Sequence, residues 1–189
     1  MVAQGFRSSL KVGEQVELEL ADLCISYGWS VHKMTAGFGS NIPMAHTREG
    51  RIKAPDIRLD KPYHSAVALE CKAKSIYNDS YIFDRHRIEY AHAWTAQTQI
   101  PLLYVIKSKP YEEPDPLSWS CCSLHKLYGN HDILDETSTD RNNKVCPTYI
   151  YDSNLFLPFA EYFLDGPLIT KNDVKFYTVL SGGGGEVAL

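Results

Sequence analysis

The chain has no uninterrupted apolar stretch near the roughly 18 residues that a membrane-crossing helix needs. It also has no basic segment followed by an apolar one at its start. Neither a membrane span nor a secretory leader is therefore expected. No segment repeats itself, which excludes solenoid and propeller architectures. Cysteine is scarce and odd in number, with five residues (Cys24, Cys71, Cys121, Cys122, Cys146) and no Cys-x-x-Cys pair. Such a set excludes a disulfide framework and points to reduced thiols, hence to an intracellular, cytoplasmic protein. The group Cys121, Cys122, His125, His131 and Cys146 also falls short of a zinc site, because neighbouring cysteines are poorly placed to share one ion.

Positive charge is lacking too, since the net charge is −4. Divided along the chain, however, it is uneven. Residues 1–110 hold 14 Lys and Arg against 11 Asp and Glu, a net of +3, while residues 111–189 hold 5 against 12, a net of −7. A surface facing a polyanion would belong to the first 110 residues.

What is present is an ordinary globular composition of 189 residues, 44% hydrophobic and 22% charged, long enough to bury a core. Residues 9–27 read as a helix, with Ser9 as N-cap, apolar positions at Val12, Val16, Leu20, Leu23 and Tyr27, and Gly28 as the terminating glycine. Trp29 to His32 alternates as a short strand. The span 34–54 reads as a long loop ending in Arg48, Arg51 and Lys53. Asp56 to Asp60 is a second strand, closed by the turn 61–64.

Ser65 to Lys74 gives the clearest strand signal. Val67, Leu69, Cys71 and Ala73 face one way, and Ala66, Ala68, Glu70, Lys72 and Lys74 the other. Residues 82–98 read as a helix with Ile88, Ala91 and Trp94 on one face, and 101–106 as a buried strand. Beyond Lys107, Pro110, Pro114 and Pro116 break any regular pattern, and the span to residue 146 reads as loops with one short helix. Thr148 to Tyr151 suggests a strand, Asn154 to Leu164 a helix, and Val174 to Leu180 a final strand, followed by a flexible glycine run. The sum is an α/β core of order αβββαβ with a central mixed sheet flanked by helices, over residues 1–106. Residues 107–189 form a C-terminal extension that packs on the core and supplies recognition or dimerisation.

The chemistry concentrates in Pro55-Asp56, thirteen intervening residues, then Glu70-Cys71-Lys72. Glu70 and Lys72, two apart on a strand, leave the same face about 7 Å apart at Cα. If the strand before pairs antiparallel, Asp56 arrives at the same end of the sheet. Two carboxylates with the Cys71 carbonyl between them make an all-oxygen site suited to Mg²⁺, with Mn²⁺ as substitute. Lys72 beside it would orient or deprotonate a water, and a nearby dication would depress its pKa. The plainer alternatives are a surface ion pair for Glu70 and Lys72, a turn-stabilising role for Asp56, and a solvated helix position for Glu17.

This pattern resembles the PD-(D/E)XK nuclease superfamily, which includes restriction endonucleases and archaeal Holliday-junction resolvases. The resemblance covers roughly residues 9–106. It implies a restriction endonuclease-like fold, Mg²⁺ held by Asp56, Glu70 and the Cys71 carbonyl, and Lys72 as the catalytic lysine. Resolvase-like members also carry a helix Glu eleven residues before a Gly and an aromatic residue. Glu17 stands at that distance from Gly28-Trp29, which implies that it is a third acid and metal ligand, with Glu14 in reserve.

The function implied is a Mg²⁺-dependent endodeoxyribonuclease, foremost a structure-specific, Holliday-junction resolvase-like enzyme acting as a homodimer on DNA. The alternatives are a sequence-specific restriction or homing endonuclease, and a non-catalytic nucleic-acid-binding protein of the same fold. Ser40, Asn41, Arg48, Arg51 and Lys53 in the loop, Lys74 on the strand, and Arg85 and Arg87 at the second helix's start are the candidate DNA contacts. Arg87 stands where family members often carry Gln.

Overall fold

A computed structural model describes residues 2–34, 44–47, 50–62, 65–108, 119–130, 132–139 and 145–159. The first helix, α1 (Val2–Ser26), begins earlier than Ser9, and no proline interrupts the chain upstream. Val16, Leu20 and Cys24 are buried on its inner face, with Val12, Leu23 and Tyr27 packed beside them. Gly28 ends it with φ +82. The Gly28 amide donates to the Ile25 carbonyl and the Trp29 amide to the Cys24 carbonyl. A side chain at position 28 would be strained there.

Among the described residues, six strands form the central sheet: β1 (Ser30–Lys33), β4 (Ile57–Asp60), β5 (Val67–Lys74), β7 (Leu102–Ser108), β8 (Trp119–Ser123) and β11 (Leu157–Pro158). They lie in the spatial order β1-β4-β5-β7-β8-β11. β5 and β7 run parallel, and the other neighbours are antiparallel. Parallel neighbours need a crossover, which β6 (Ser80–Asp84) and α2 (Arg85–Thr98) provide. The fold is mixed α/β, with a central mixed sheet flanked by helices. Among the described residues no helix is long and apolar enough to cross a membrane.

The strand alternation divides the interior in two. Val67, Leu69 and Cys71 of β5, with Leu103 and Val105 of β7, pack toward α1. Ala68 of β5, with Leu102, Tyr104 and Ile106 of β7, packs toward α2 and the aromatic cluster of Tyr81, Phe83, Tyr149 and Tyr151. Ile88, Ala91 and Trp94 are buried along α2, the face that the sequence marks. Lys107 is almost wholly buried. It bonds Glu19 and lies 5.4 Å from the Trp119 ring centre, tying α1 to the sheet.

Several elements differ from the sequence reading. The supposed loop 34–54 contains a hairpin, β2 (Met44–Thr47) with β3 (Gly50–Lys53). The second helix starts at Arg85 and not at residue 82, because residues 80–84 are β6, pairing with β10 (Val145–Asp152). The Thr148–Tyr151 strand lies within β10. The span read as loops holds β8, a short helix α3 (Leu124–Leu127) and β9 (Asp132–Thr139), which pairs with β10. Where a helix was expected from Asn154, a 3₁₀ turn (Ser153–Leu155) leads into β11, and residues 160–164 lie outside the described residues. The strand expected at 174–180 and the glycine run also lie outside them.

Core burial carries an expected asymmetry along α1. Replacing the fully buried Leu20 with Ala should cost about 2–5 kcal/mol of unfolding free energy. Leu18→Ala, at a position 49% exposed, should stay within about 0.5 kcal/mol. Urea denaturation of the two variants measures the difference.

Candidate active site

The pairing of β4 with β5 sets Ile57 opposite Leu69. One step further along both strands, Asp56 therefore meets Glu70 at the end of the ladder. The two carboxylates are each only 4% exposed. At that burial a lone charge is costly, so both need partners. The Cys71 amide donates to Asp56 Oδ2 at 2.8 Å and fixes that carboxylate. Lys72 Nζ donates to Glu70 Oε1 at 2.6 Å, to the Cys71 carbonyl at 2.9 Å and to Asp56 Oδ2 at 3.3 Å. One ammonium thus bonds all three oxygens that the sequence proposes as metal ligands. Lys53 Nζ, from the end of β3, donates to Glu70 Oε1 at 2.7 Å and lies 3.8 Å from Asp56 Oδ1.

The electrostatics follow from this packing. Burial, aided by the Glu70 charge, raises the Asp56 pKa, against the pull of Lys72, Lys53 and the Cys71 amide. Burial also works to raise Glu70, but the charges of Lys72 and Lys53 prevail and lower it. Lys72 would be lowered by burial, yet the charges of Asp56 and Glu70 reverse this and raise it. Among protein groups alone the lysine is therefore a firm ammonium, opposite to the depressed pKa expected beside a dication. Burial pushes the Cys71 thiol well up, so this residue offers its backbone and not its sulfur.

The other candidates are distributed unevenly. Glu17 is half-buried on α1 with Oε2 3.7 Å from Lys33 Nζ, and its charge is felt at the Cys71 thiol. Among the described residues no three His, Cys, Asp or Glu side chains cluster closely enough to hold a metal ion. Glu17 is thus not brought into the Asp56–Glu70 pair. Glu14 is half-buried on the same helix. Arg87 lines a narrow crevice with Lys53, Pro55, Glu70 and Trp94, and its Nε bonds Asp84 at 3.1 Å. The buried Tyr104 hydroxyl donates to the Arg87 carbonyl, holding the start of α2 against the sheet.

Arg85 lies apart from this crevice, bonded to Glu89 at 2.7 Å and 5.8 Å from the Tyr149 ring centre. Lys74 bonds the Ile82 carbonyl at 2.8 Å and lies over Phe83. Ser40, Asn41 and Arg48 lie outside the described residues. Arg51 stands in β3 opposite His46. Cys121 and Cys122 are buried in the two different cores, one on each side of the sheet, which is why they cannot share an ion. His131 and the Cys146 side chain lie outside the described residues.

Lys53, read from the sequence as a DNA contact in a loop, stands at the end of β3 and bonds the acid pair, a contact that the sequence reading missed. Its distance of three residues from Asp56, across Pro55, was the available signal. The donor set of two carboxylates and a carbonyl suits a hard cation such as Mg²⁺, and the ammonium bonded to all of it shows that the three oxygens converge.

The opposed shifts of the two acids predict opposite effects on stability. Glu70, held low, stabilises the fold above the usual glutamate range, and that stabilisation is lost as pH falls through its folded pKa. Asp56, held high, costs stability while ionised, and the cost is relieved as pH falls through its folded pKa. At neutral pH, Glu70→Gln should therefore melt below wild type and Asp56→Asn at or above it, measured by circular dichroism.

No family model matches the chain, and no curated protein matches it. Among solved structures, the chain is similar to that of Hjc, a Holliday junction resolvase from the archaeal hyperthermophile Archaeoglobus fulgidus. The similarity has a TM-score of 0.49 at 14% sequence identity and covers 79% of this chain and 93% of that one.

Proposed function

We propose that this chain is a Mg²⁺-dependent endodeoxyribonuclease with a restriction endonuclease-like core. The observation that carries the reading is the convergence of Asp56 Oδ2, Glu70 Oε1 and the Cys71 carbonyl on one ammonium, at 2.6 to 3.3 Å. A surface ion pair would not explain two buried carboxylates aimed with a main-chain carbonyl at one point. Asp56, Glu70 and the Cys71 carbonyl are the residues that would hold Mg²⁺, and Mn²⁺ would substitute. When bound, the metal supplies Lewis acidity and a water of lowered pKa.

The protein groups account for the rest. The Cys71 amide keeps the Asp56 carboxylate oriented, and burial excludes bulk water from both acids. Lys72 would act as a hydrogen-bond donor that orients the attacking water and meets charge developing on the phosphate oxygens. Arg87 and Lys53 line the crevice, where the DNA backbone would lie. Glu17, one residue layer away on α1, adds negative charge behind Cys71 and tunes the centre from outside it. A branched DNA of the Holliday-junction type is the proposed substrate, and a homodimer the proposed assembly, because cutting two strands needs two centres. The free cysteines fit an intracellular protein.

Incubation with Mg²⁺ and linear, single-stranded and cruciform DNA tests the reading. Cleavage of the cruciform is expected, with Asp56→Asn, Glu70→Gln and Lys72→Ala each slower by about a hundredfold or more. Cutting at one sequence in linear duplex would transfer the reading to a restriction or homing enzyme. No cleavage of any form, with wild type and Lys72→Ala alike, would sink it.

A further inference from the structure

The cluster holds one cation more than the reading above uses. Asp56 and Glu70 carry two negative charges, and Lys53 with Lys72 balances them. Adding a dication while both ammonium groups stay would leave the buried site with a net charge of +2, so a lysine must leave as a metal enters. The two are not equally held. Lys72 stands where the three oxygens converge and is tied to all of them, so a metal makes it shift within the site, whereas Lys53, with Glu70 at 2.7 Å and Asp56 only at 3.8 Å, is the ammonium that can leave it.

Lys53 is also the one placed to go elsewhere. It stands at the end of β3, outside the central sheet, in the hairpin that carries Arg51. It lines the crevice beside Arg87 and keeps 19% of its side chain exposed. Its flexible four-carbon stem lets the ammonium swing toward a phosphate without moving the backbone.

We infer that Lys53 is an internal counter-cation that couples metal binding to DNA binding. Its ammonium rests on Glu70 and Asp56 until a DNA phosphate draws it away, and the acid pair then accepts the metal. The centre is thereby kept weak for metal until substrate arrives. This inference rests on the metal-nuclease reading and adds an order of binding to it. By linkage, metal must strengthen DNA binding by the same factor.

The test is titration with Mn²⁺, followed by electron paramagnetic resonance of the free ion, without DNA and with a phosphorothioate duplex that resists cutting. Without DNA, Lys53→Met should bind Mn²⁺ about tenfold more tightly than wild type, and Lys53→Arg about as weakly as wild type. Adding the duplex should tighten Mn²⁺ binding about tenfold in wild type and much less in Lys53→Met. If Lys53→Met fails to fold, Lys53→Gln, which also lacks the charge, is titrated in its place. Mn²⁺ binding that neither the variant nor the duplex alters overturns the role of Lys53 and leaves the metal centre standing. Failure of every protein to bind Mn²⁺ overturns both.

Discussion

Two carboxylates are buried side by side at the end of the β4–β5 ladder, and much of the surrounding structure answers the cost of that placement. Asp56 and Glu70 repel one another and have lost most of their water. They stay because a main-chain amide and two ammonium groups surround them within hydrogen-bond distance. The cations come from separate places, Lys72 from the same strand and Lys53 from a hairpin that lies outside the sheet. Removing either ammonium would leave a buried negative charge uncompensated. Such an arrangement is a poor stabilising device, and the proposed metal site would account for it.

The rest of the fold keeps this unit in place. β5 sends alternate side chains into two different cores. Leu69 and Cys71 lock it against α1, while Ala68 faces the α2 side and is small enough to let α2 approach the sheet. Tyr104, one strand away, reaches the Arg87 carbonyl and fixes the start of α2 beside the crevice. The buried Lys107–Glu19 contact joins α1 to β7, on which β5 pairs in parallel. The backbone that carries Glu70 and Lys72 is thus packed on both faces, and a site on a doubly packed strand is rigid enough to hold three oxygens on one point.

Charge is divided along the same lines. The excess of basic residues in the first 110 positions includes both cations of the site and Arg87, whereas residues 111–189 are strongly acidic. An acidic protein can therefore present a basic approach to a buried acid pair. Two of these cations, Arg85 and Lys74, bond Glu89 and the Ile82 carbonyl away from the crevice.

Much of the site was legible in the residues themselves. The period-two alternation from Val67 to Lys74 is a local property of one strand, and it placed Glu70 and Lys72 on one face without knowledge of any neighbour. The helix of Val16, Leu20 and Cys24 and its stop at Gly28 were equally local, since turn-to-turn spacing and one left-handed residue define them. Asp56 was readable only jointly with Glu70, through the turn that makes their strands antiparallel. Other features had no local signal. β6 and β10 are strands because they pair with each other across more than sixty residues, and Ile82 and Phe83 next to a helix start read as that helix. Lys53 enters the acid cluster because its hairpin folds back beside α2, and Glu17 stays outside it because α1 packs on the opposite face of the sheet. The sequence by itself determined which side chains share a strand or helix face, because those periods are set by the backbone. Only the tertiary structure decided which cations meet the buried acids, because long-range pairing and desolvation select those partners.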